Sequence, residues 1–116
     1  MSWEIIESLN WDGDYKRCEK QLVDTYSMDK IIQVETFVDE KVNQLDKQFH
    51  QDWLDDIEVS DDGWSDLRYE VVGRGKLFYE SITKEKLMEM AENFDYHESF
   101  AYCFHCTYDY RLNKRK

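Results

Sequence analysis

Residues 28–49 read MDKIIQVETFVDEKVNQLDKQF, the clearest helical pattern in the chain. Apolar residues recur there every three or four positions, as on one face of an α-helix. This stripe comprises Ile31, Val34 or Glu35, Val38, Val42, Leu45 and Phe49. Ser27 is the predicted N-cap. Asp29 lies in the first turn, where its negative charge interacts favourably with the positive end of the helix dipole. The stretch therefore predicts a central helix of roughly 30 Å.

Shorter helical patterns lie on both sides of this stretch. We predict helices over residues 3–9 and 14–25 before it. After it we predict one helix capped by Ser60 or Asp61 and another from Thr83 to about residue 92. The sequence has no proline, which permits long helices. The predicted fold is all-α, a single small domain of about five to six helices with a long central helix.

The C-terminal segment fits two structures. From Phe100 to Tyr110 every second residue is apolar or aromatic, which is the period of a β-strand. These residues are Phe100, Tyr102, Phe104, Cys106, Tyr108 and Tyr110. Phe100, Phe104 and Tyr108 also lie four apart, which suits a helix. Periodicity alone leaves the alternative open: an α+β fold with a C-terminal strand near residues 99–111.

The charge of the chain is unevenly distributed. Its formal net charge is −11, and all 26 acidic residues fall in residues 1–110, beside only 11 basic ones. We predict one domain over 1–110 and a basic tail over 111–116. An acidic body repels nucleic acid and anionic membranes and attracts basic proteins. The sequence shows no signal peptide and no apolar run of about 20 residues, so we expect a cytoplasmic protein with three free cysteines.

An acid run occupies residues 51–66, QDWLDDIEVSDDGWSD. It holds seven carboxylates, no basic residue and two tryptophans. A solvated face rarely carries indole rings, so this combination predicts a surface that meets a basic partner, with the tryptophans as apolar anchors. The predicted partner-binding residues are Asp52, Trp53, Asp55, Asp56, Glu58, Asp61, Asp62, Trp64 and Asp66.

The patterns for metal binding and catalysis are incomplete. A calcium loop that starts at Asp61 would need an acid at its twelfth position, where the chain has Val72. A zinc site would draw on His97, Cys103, His105 and Cys106, but no second ligand pair precedes them. There is no nucleophile elbow and no glycine-rich phosphate loop. We predict a non-enzymatic protein without metal or cofactor.

Residues 60–82, SDDGWSDLRYEVVGRGKLFYESI, resemble a bacterial domain family of unknown function with a Ser-Asp-Asp-Gly-aromatic motif. The matching positions are Ser60, Asp61, Asp62, Gly63, Trp64, Arg68, Gly75 and Phe78. The opening Trp3-Glu4-x-Ile6 is also similar, and the resemblance covers about residues 2–110. Residues 50–58 depart from the family pattern, since they carry acids where the family has aromatic and small residues. The resemblance implies an all-α domain with a helical C-terminal segment, and no established activity.

These observations favour a cytoplasmic binding protein that neutralises or regulates a basic partner. Its most concrete form is a bacterial toxin-immunity protein, which covers the basic active-site cleft of a nuclease toxin. The alternative is a DNA mimic from a phage or mobile element that inhibits a DNA-binding enzyme. A third possibility is an interaction module of a regulatory assembly.

Overall fold

The computed structural model of the protein describes residues 2–49, 61–93 and 99–108, without the side chains of Asp61, Asp62 and Asn93. Within these ranges the chain forms helices and no strand. The elements are α1 (Ser2–Ser8), α2 (Tyr15–Thr25), α3 (Met28–Gln48), α4 (Asp61–Gly73), α5 (Lys76–Glu80), α6 (Lys84–Asn93) and a 3-10 helix (Phe100–Phe104). The predicted all-α fold is confirmed for the described residues.

Helix α3 is the central element, as its sequence predicts. The Ser27 hydroxyl accepts the backbone N–H of Lys30 at 3.2 Å, so this residue caps the helix. The buried residues of the helix are Ile31, Val34, Val38, Val42 and Leu45. Thus Val34, not Glu35, continues the buried stripe, while the Glu35 side chain is half-buried at its edge.

The other elements cover α3 on several sides. Helices α1, α2 and α4 and the 3-10 helix each contact it, and the 3-10 helix also lies against α2 and α4. The largest fully buried side chains include two phenylalanines of that short helix, Phe100 and Phe104. A late segment of the chain therefore fills the centre of the core.

The C-terminal segment is helical over residues 99–108, so the alternative of a C-terminal strand is wrong there. Its backbone closes tight turns, because the N–H of His105 bonds the carbonyl of Tyr102 and the N–H of Tyr108 bonds that of His105. Phe100 and Phe104, four positions apart, both point into the core. Tyr108, at the next such position, is exposed. Residues 109–111 lie outside the described ranges.

One apolar residue lies where the pattern predicts burial and is exposed. Leu77, Phe78 and Ile82 continue the apolar pattern after Gly75, yet the Leu77 side chain is 80% exposed. Helix α5 has only five residues, and none of them is fully buried. Of the three residues, Ile82 is buried and Phe78 is half-buried. None of the helices among the described residues combines the length and apolar character that a membrane crossing requires.

Candidate partner-binding surface

The structure describes part of the predicted partner-binding surface. Asp52, Trp53, Asp55, Asp56 and Glu58 lie outside the described residues. Asp61 and Asp62 form the start of α4, although their side chains are also outside the description. The remaining two members, Trp64 and Asp66, lie in the part of α4 that is described in full, one and three residues after Gly63.

Trp64 is a core residue, which corrects its predicted role as an exposed anchor. Its side chain is 2% exposed, and its Nε1–H donates to Asp46 Oδ1 of α3 at 2.8 Å. Leu67 and Val71, three and seven positions further along α4, share its buried side. The indole therefore serves packing between α4 and α3, and its ring is not available to a partner in this conformation.

The guanidinium of Arg68 joins α4 to α3 behind this tryptophan. Its Nη1 donates to the backbone carbonyl of Val42 at 3.2 Å, and its Cζ lies 5.3 Å from the centroid of the Trp64 ring. The interaction is a cation–π contact within the fold. The sequence also suggests a bridge from Arg68 to Asp61 or Asp62, whose side chains are outside the described residues. Asp66 is half-buried beside these contacts.

The exposed surface of the described residues is strongly acidic. Thirteen exposed side chains are Asp or Glu, and six are Lys or Arg. The acids are Glu4, Glu7, Asp12, Asp14, Asp24, Asp29, Asp39, Glu40, Asp46, Glu80, Glu85, Glu89 and Glu92. They occur on α1, α2, α3, α5 and α6 and in the turn before α2. The acidic character is thus a property of the whole surface and extends well beyond the acid run.

Among the described residues, the carboxylate of Glu70 is buried and accepts hydrogen bonds from two other side chains. Glu70 is 5% exposed, and its Oε1 accepts the indole N–H of Trp11 at 2.8 Å. Its Oε2 accepts the Nε–H of Arg74 at 2.8 Å, one helical turn further along. The same Arg74 lies 5.1 Å from the centroid of the Phe78 ring. Arg74 lies between Gly73 and Gly75, where the sequence suggests either a contact with an anion or a pair with a local acid. The structure shows the pair with a local acid.

Gly73 allows this corner of the molecule to close. A Cβ on Gly73 would lie 2.9 Å from Cγ and Cδ1 of Phe100 and 3.1 Å from Cδ1 of Trp11. The two rings themselves meet edge to face, with centroids 5.1 Å apart. The glycine thus lets α4, the turn after α1 and the 3-10 helix approach one another.

Two of the three cysteines are buried, and Cys106 is half-buried. Cys18 and Cys103 are fully buried, and the Cys18 thiol donates to the backbone carbonyl of Leu9 at 3.6 Å. The interaction between the two thiols lowers the pKa of Cys18, and the same interaction and burial raise the pKa of Cys103. Burial raises the pKa of Cys106, and the charge of Glu19 adds to this effect. Among the described residues no three potential ligands are placed to hold a metal ion. His97 lies outside those residues.

Three aromatic side chains face outward from the C-terminal segment: Tyr102, His105 and Tyr108. We call them the aromatic stripe. The Tyr102 and His105 rings are 4.4 Å apart, and Tyr15 of α2 lies 5.6 Å from the first and 6.1 Å from the second. The side chains of Tyr102 and Tyr108 are 36% and 68% exposed, and His105 is also exposed. In the sequence, Tyr102 and Tyr108 belong to the alternating pattern and His105 lies between its positions, so the shared outward position of the three emerges from the structure.

Two carboxylates from other helices accept hydrogen bonds from this segment, one from a backbone N–H and one from a side-chain hydroxyl. Glu19 Oε2 accepts the backbone N–H of Cys106 at 2.9 Å, and Glu35 Oε1 accepts the hydroxyl of Thr107 at 3.0 Å. Glu19 comes from α2 and Glu35 from α3. They place negative charge beside residues 106 and 107, next to the aromatic stripe.

Comparison with known families identifies the chain. Residues 2–110 match the model of a family described as "Protein of unknown function (DUF4240)", and the chain belongs to that family. No curated protein and no solved structure matches the sequence.

Proposed function

We propose that this member of the DUF4240 family is a non-enzymatic binding protein that neutralises or regulates a basic partner protein. The observation that carries the proposal is the charge of its exposed surface, where carboxylates outnumber basic side chains by thirteen to six. Such a surface attracts a positively charged protein at long range and speeds its association.

The acid run adds a local element to this general attraction. Residues 51–66 contain seven carboxylates without a basic residue. Dense like charges repel one another, and exposed ion pairs contribute only about 0–1 kcal/mol to stability. A role in binding explains their presence better than a role in folding. With Trp64 in the core, Trp53 is the tryptophan of the run that remains as a proposed apolar contact.

The most concrete form of the proposal is a toxin-immunity protein that covers the basic active-site cleft of a nuclease. A small acidic domain suits this task, because a nuclease cleft is shaped to accept the negative charge of nucleic acid. A DNA mimic that inhibits a DNA-binding enzyme would use the same charge. The identity of the partner separates the two: expression of a toxin alone arrests growth, and co-expression with this protein restores it.

The test begins with affinity capture on the immobilised protein at low salt from a lysate of cells that carry the gene. Partners are identified by mass spectrometry, and binding kinetics are then measured with the purified partner. Asp55→Asn/Asp56→Asn should slow association and flatten its dependence on salt, because electrostatic steering is reduced. Glu85→Gln/Glu89→Gln is the matched control, since it removes the same charge from exposed positions of α6.

The result has a clear contrary outcome. A partner that binds with the same kinetics to the Asp55→Asn/Asp56→Asn variant and to the unaltered protein would show that the acid run is a solvated surface. Capture of no basic protein would contradict the proposed function itself.

A further inference from the structure

We infer that the aromatic stripe (Tyr102, His105 and Tyr108) is a docking site for an arginine side chain of the basic partner. The inference rests on the proposed function for the charge of the partner. It adds where the partner docks and which side chain it presents. The aromatic contact with the partner would then come from the C-terminal segment and not from Trp64, which is buried.

The outward aromatic side chains have no evident role in the core. The inner side of the same segment already packs through Phe100, Cys103 and Phe104, which are buried. Exposed aromatic rings close together on a surface are a common mark of an interaction site. Tyrosine is also enriched where proteins meet, because its ring is large, amphipathic and limited to few rotamers.

The stripe is organised before any partner arrives. The hydrogen bonds from His105 to Tyr102 and from Tyr108 to His105 place these residues one tight turn apart. Tyr15 packs edge-on against the first two rings, at interplanar angles of 72° and 62°. Supported rings lose little conformational freedom on binding, so less free energy is spent on ordering them.

The local charge favours a cation. Residues 99–108 contain no Lys, Arg, Asp or Glu, so no charge within the segment repels one at neutral pH. The carboxylates of Glu19 and Glu35 accept hydrogen bonds from residues 106 and 107. Burial raises the pKa of the Cys106 thiol, and the negative charges of Glu19 and Glu35 raise it further. A cation over the rings would feel the same negative charges together with the negative faces of the aromatic systems.

Arginine suits this site better than lysine. Its guanidinium is planar and weakly hydrated, so it stacks on an aromatic face at lower cost than a compact ammonium ion. The protein already contains two such contacts: Arg68 lies over Trp64 and Arg74 over Phe78. The stripe offers exposed rings of the same kind to an arginine from outside.

The experiment uses the full chain and a deca-arginine peptide as the probe, titrated by calorimetry at constant salt. Tyr102→Leu/Tyr108→Leu keeps apolar bulk but removes two aromatic faces. It should weaken binding of deca-arginine by about fivefold to thirtyfold, as expected for two exposed cation–π contacts. The same change should weaken binding of deca-lysine less than binding of deca-arginine. Leu77→Ala is the control, because it truncates an exposed apolar side chain on another element.

The outcomes separate this inference from the proposed function. Equal affinity of the double variant and the unaltered protein for deca-arginine would overturn the docking site, as would an equal loss in Leu77→Ala. Suppose that the captured partner binds Tyr102→Leu/Tyr108→Leu normally and yet binds Asp55→Asn/Asp56→Asn more slowly. In that case the docking site fails and the proposed function stands. If Tyr102→Leu/Tyr108→Leu loses affinity for deca-arginine but no basic partner is captured, only the proposed function fails. Circular dichroism checks folding, and His105→Ala replaces the double variant if that one is unfolded.

Discussion

Trp11 and Glu70 are joined by a 2.8 Å hydrogen bond although 59 positions separate them in the chain. The same carboxylate accepts a second bond from Arg74. A single buried acid thus connects the turn after α1 with the end of α4. This arrangement satisfies a buried charge, which is costly to leave unpaired.

Glu70→Ala should lower the free energy of unfolding by about 2–4 kcal/mol, because it removes the acceptor of both the indole and the guanidinium. Glu70→Gln should cost less, since the amide oxygen still accepts one bond. Urea unfolding measures both. The control is Glu85→Ala on α6, an exposed acid whose loss should change the free energy by no more than about 0.5 kcal/mol. Equal effects at positions 70 and 85 would show that the buried network contributes nothing.

Gly73→Ala should destabilise the protein by about 1–3 kcal/mol, even though alanine is the better helix former by about 1 kcal/mol. The new methyl group would meet the Phe100 ring at 2.9 Å. Thermal unfolding provides the measurement. Combining Gly73→Ala with Phe100→Leu should cost less than the sum of the two single changes, because the smaller side chain leaves room for the methyl. Strict additivity would argue against the clash.

Trp64→Ala should lower the free energy of unfolding by about 3–5 kcal/mol, as for truncation of a buried aromatic residue. Trp64→Phe should cost less, because it keeps most of the buried area but loses the bond to Asp46. Leu77→Ala serves as the exposed comparison and should be nearly neutral. If Trp64→Ala were as stable as the unaltered protein, the burial of this indole in solution would be refuted.

The Cys106 thiol should react with iodoacetamide with a midpoint at higher pH than the same thiol in the unfolded chain. Its pKa is raised by burial and then by the charge of Glu19, so the reactive thiolate forms later as the pH rises. Glu19→Gln should move the midpoint to lower pH, because the neutral amide removes a negative charge and can still accept the backbone bond. Peptide mapping reports each cysteine separately. A midpoint unchanged by Glu19→Gln, or shifted equally by Glu85→Gln, would contradict this account.

The local elements of the fold follow from local sequence signals. The apolar stripe of α3 and its Ser27 cap predict a helix over residues 28–49, and the structure has it over Met28–Gln48. Periodicity alone does not decide the secondary structure of the C-terminal segment, because its apolar residues fit periods of two and of four alike. The buried positions there follow three- and four-residue steps, and tertiary contacts with α2, α3 and α4 select them.

The candidate site was less predictable, because it depends on contacts between distant residues. Trp64 lies among acids, which suggests exposure, but Leu67 and Val71 extend its side of α4 into the core. The helical spacing of Trp64, Leu67 and Val71 is the sequence signal that indicates burial of Trp64. Glu70 gave no signal of burial, since its partner Trp11 lies on another element. The aromatic stripe likewise became visible only when the tight turns of the 3-10 helix separated inner from outer residues.

The place of the 3-10 helix along the chain affects how the protein is made. During translation, α1 to α4 leave the ribosome well before Phe100 and Phe104, the rings that fill the space between α2, α3 and α4. Contacts between residues so distant in sequence form late. The nascent chain therefore keeps apolar surface exposed until the last of these residues has emerged, and over that interval chaperones have access to it.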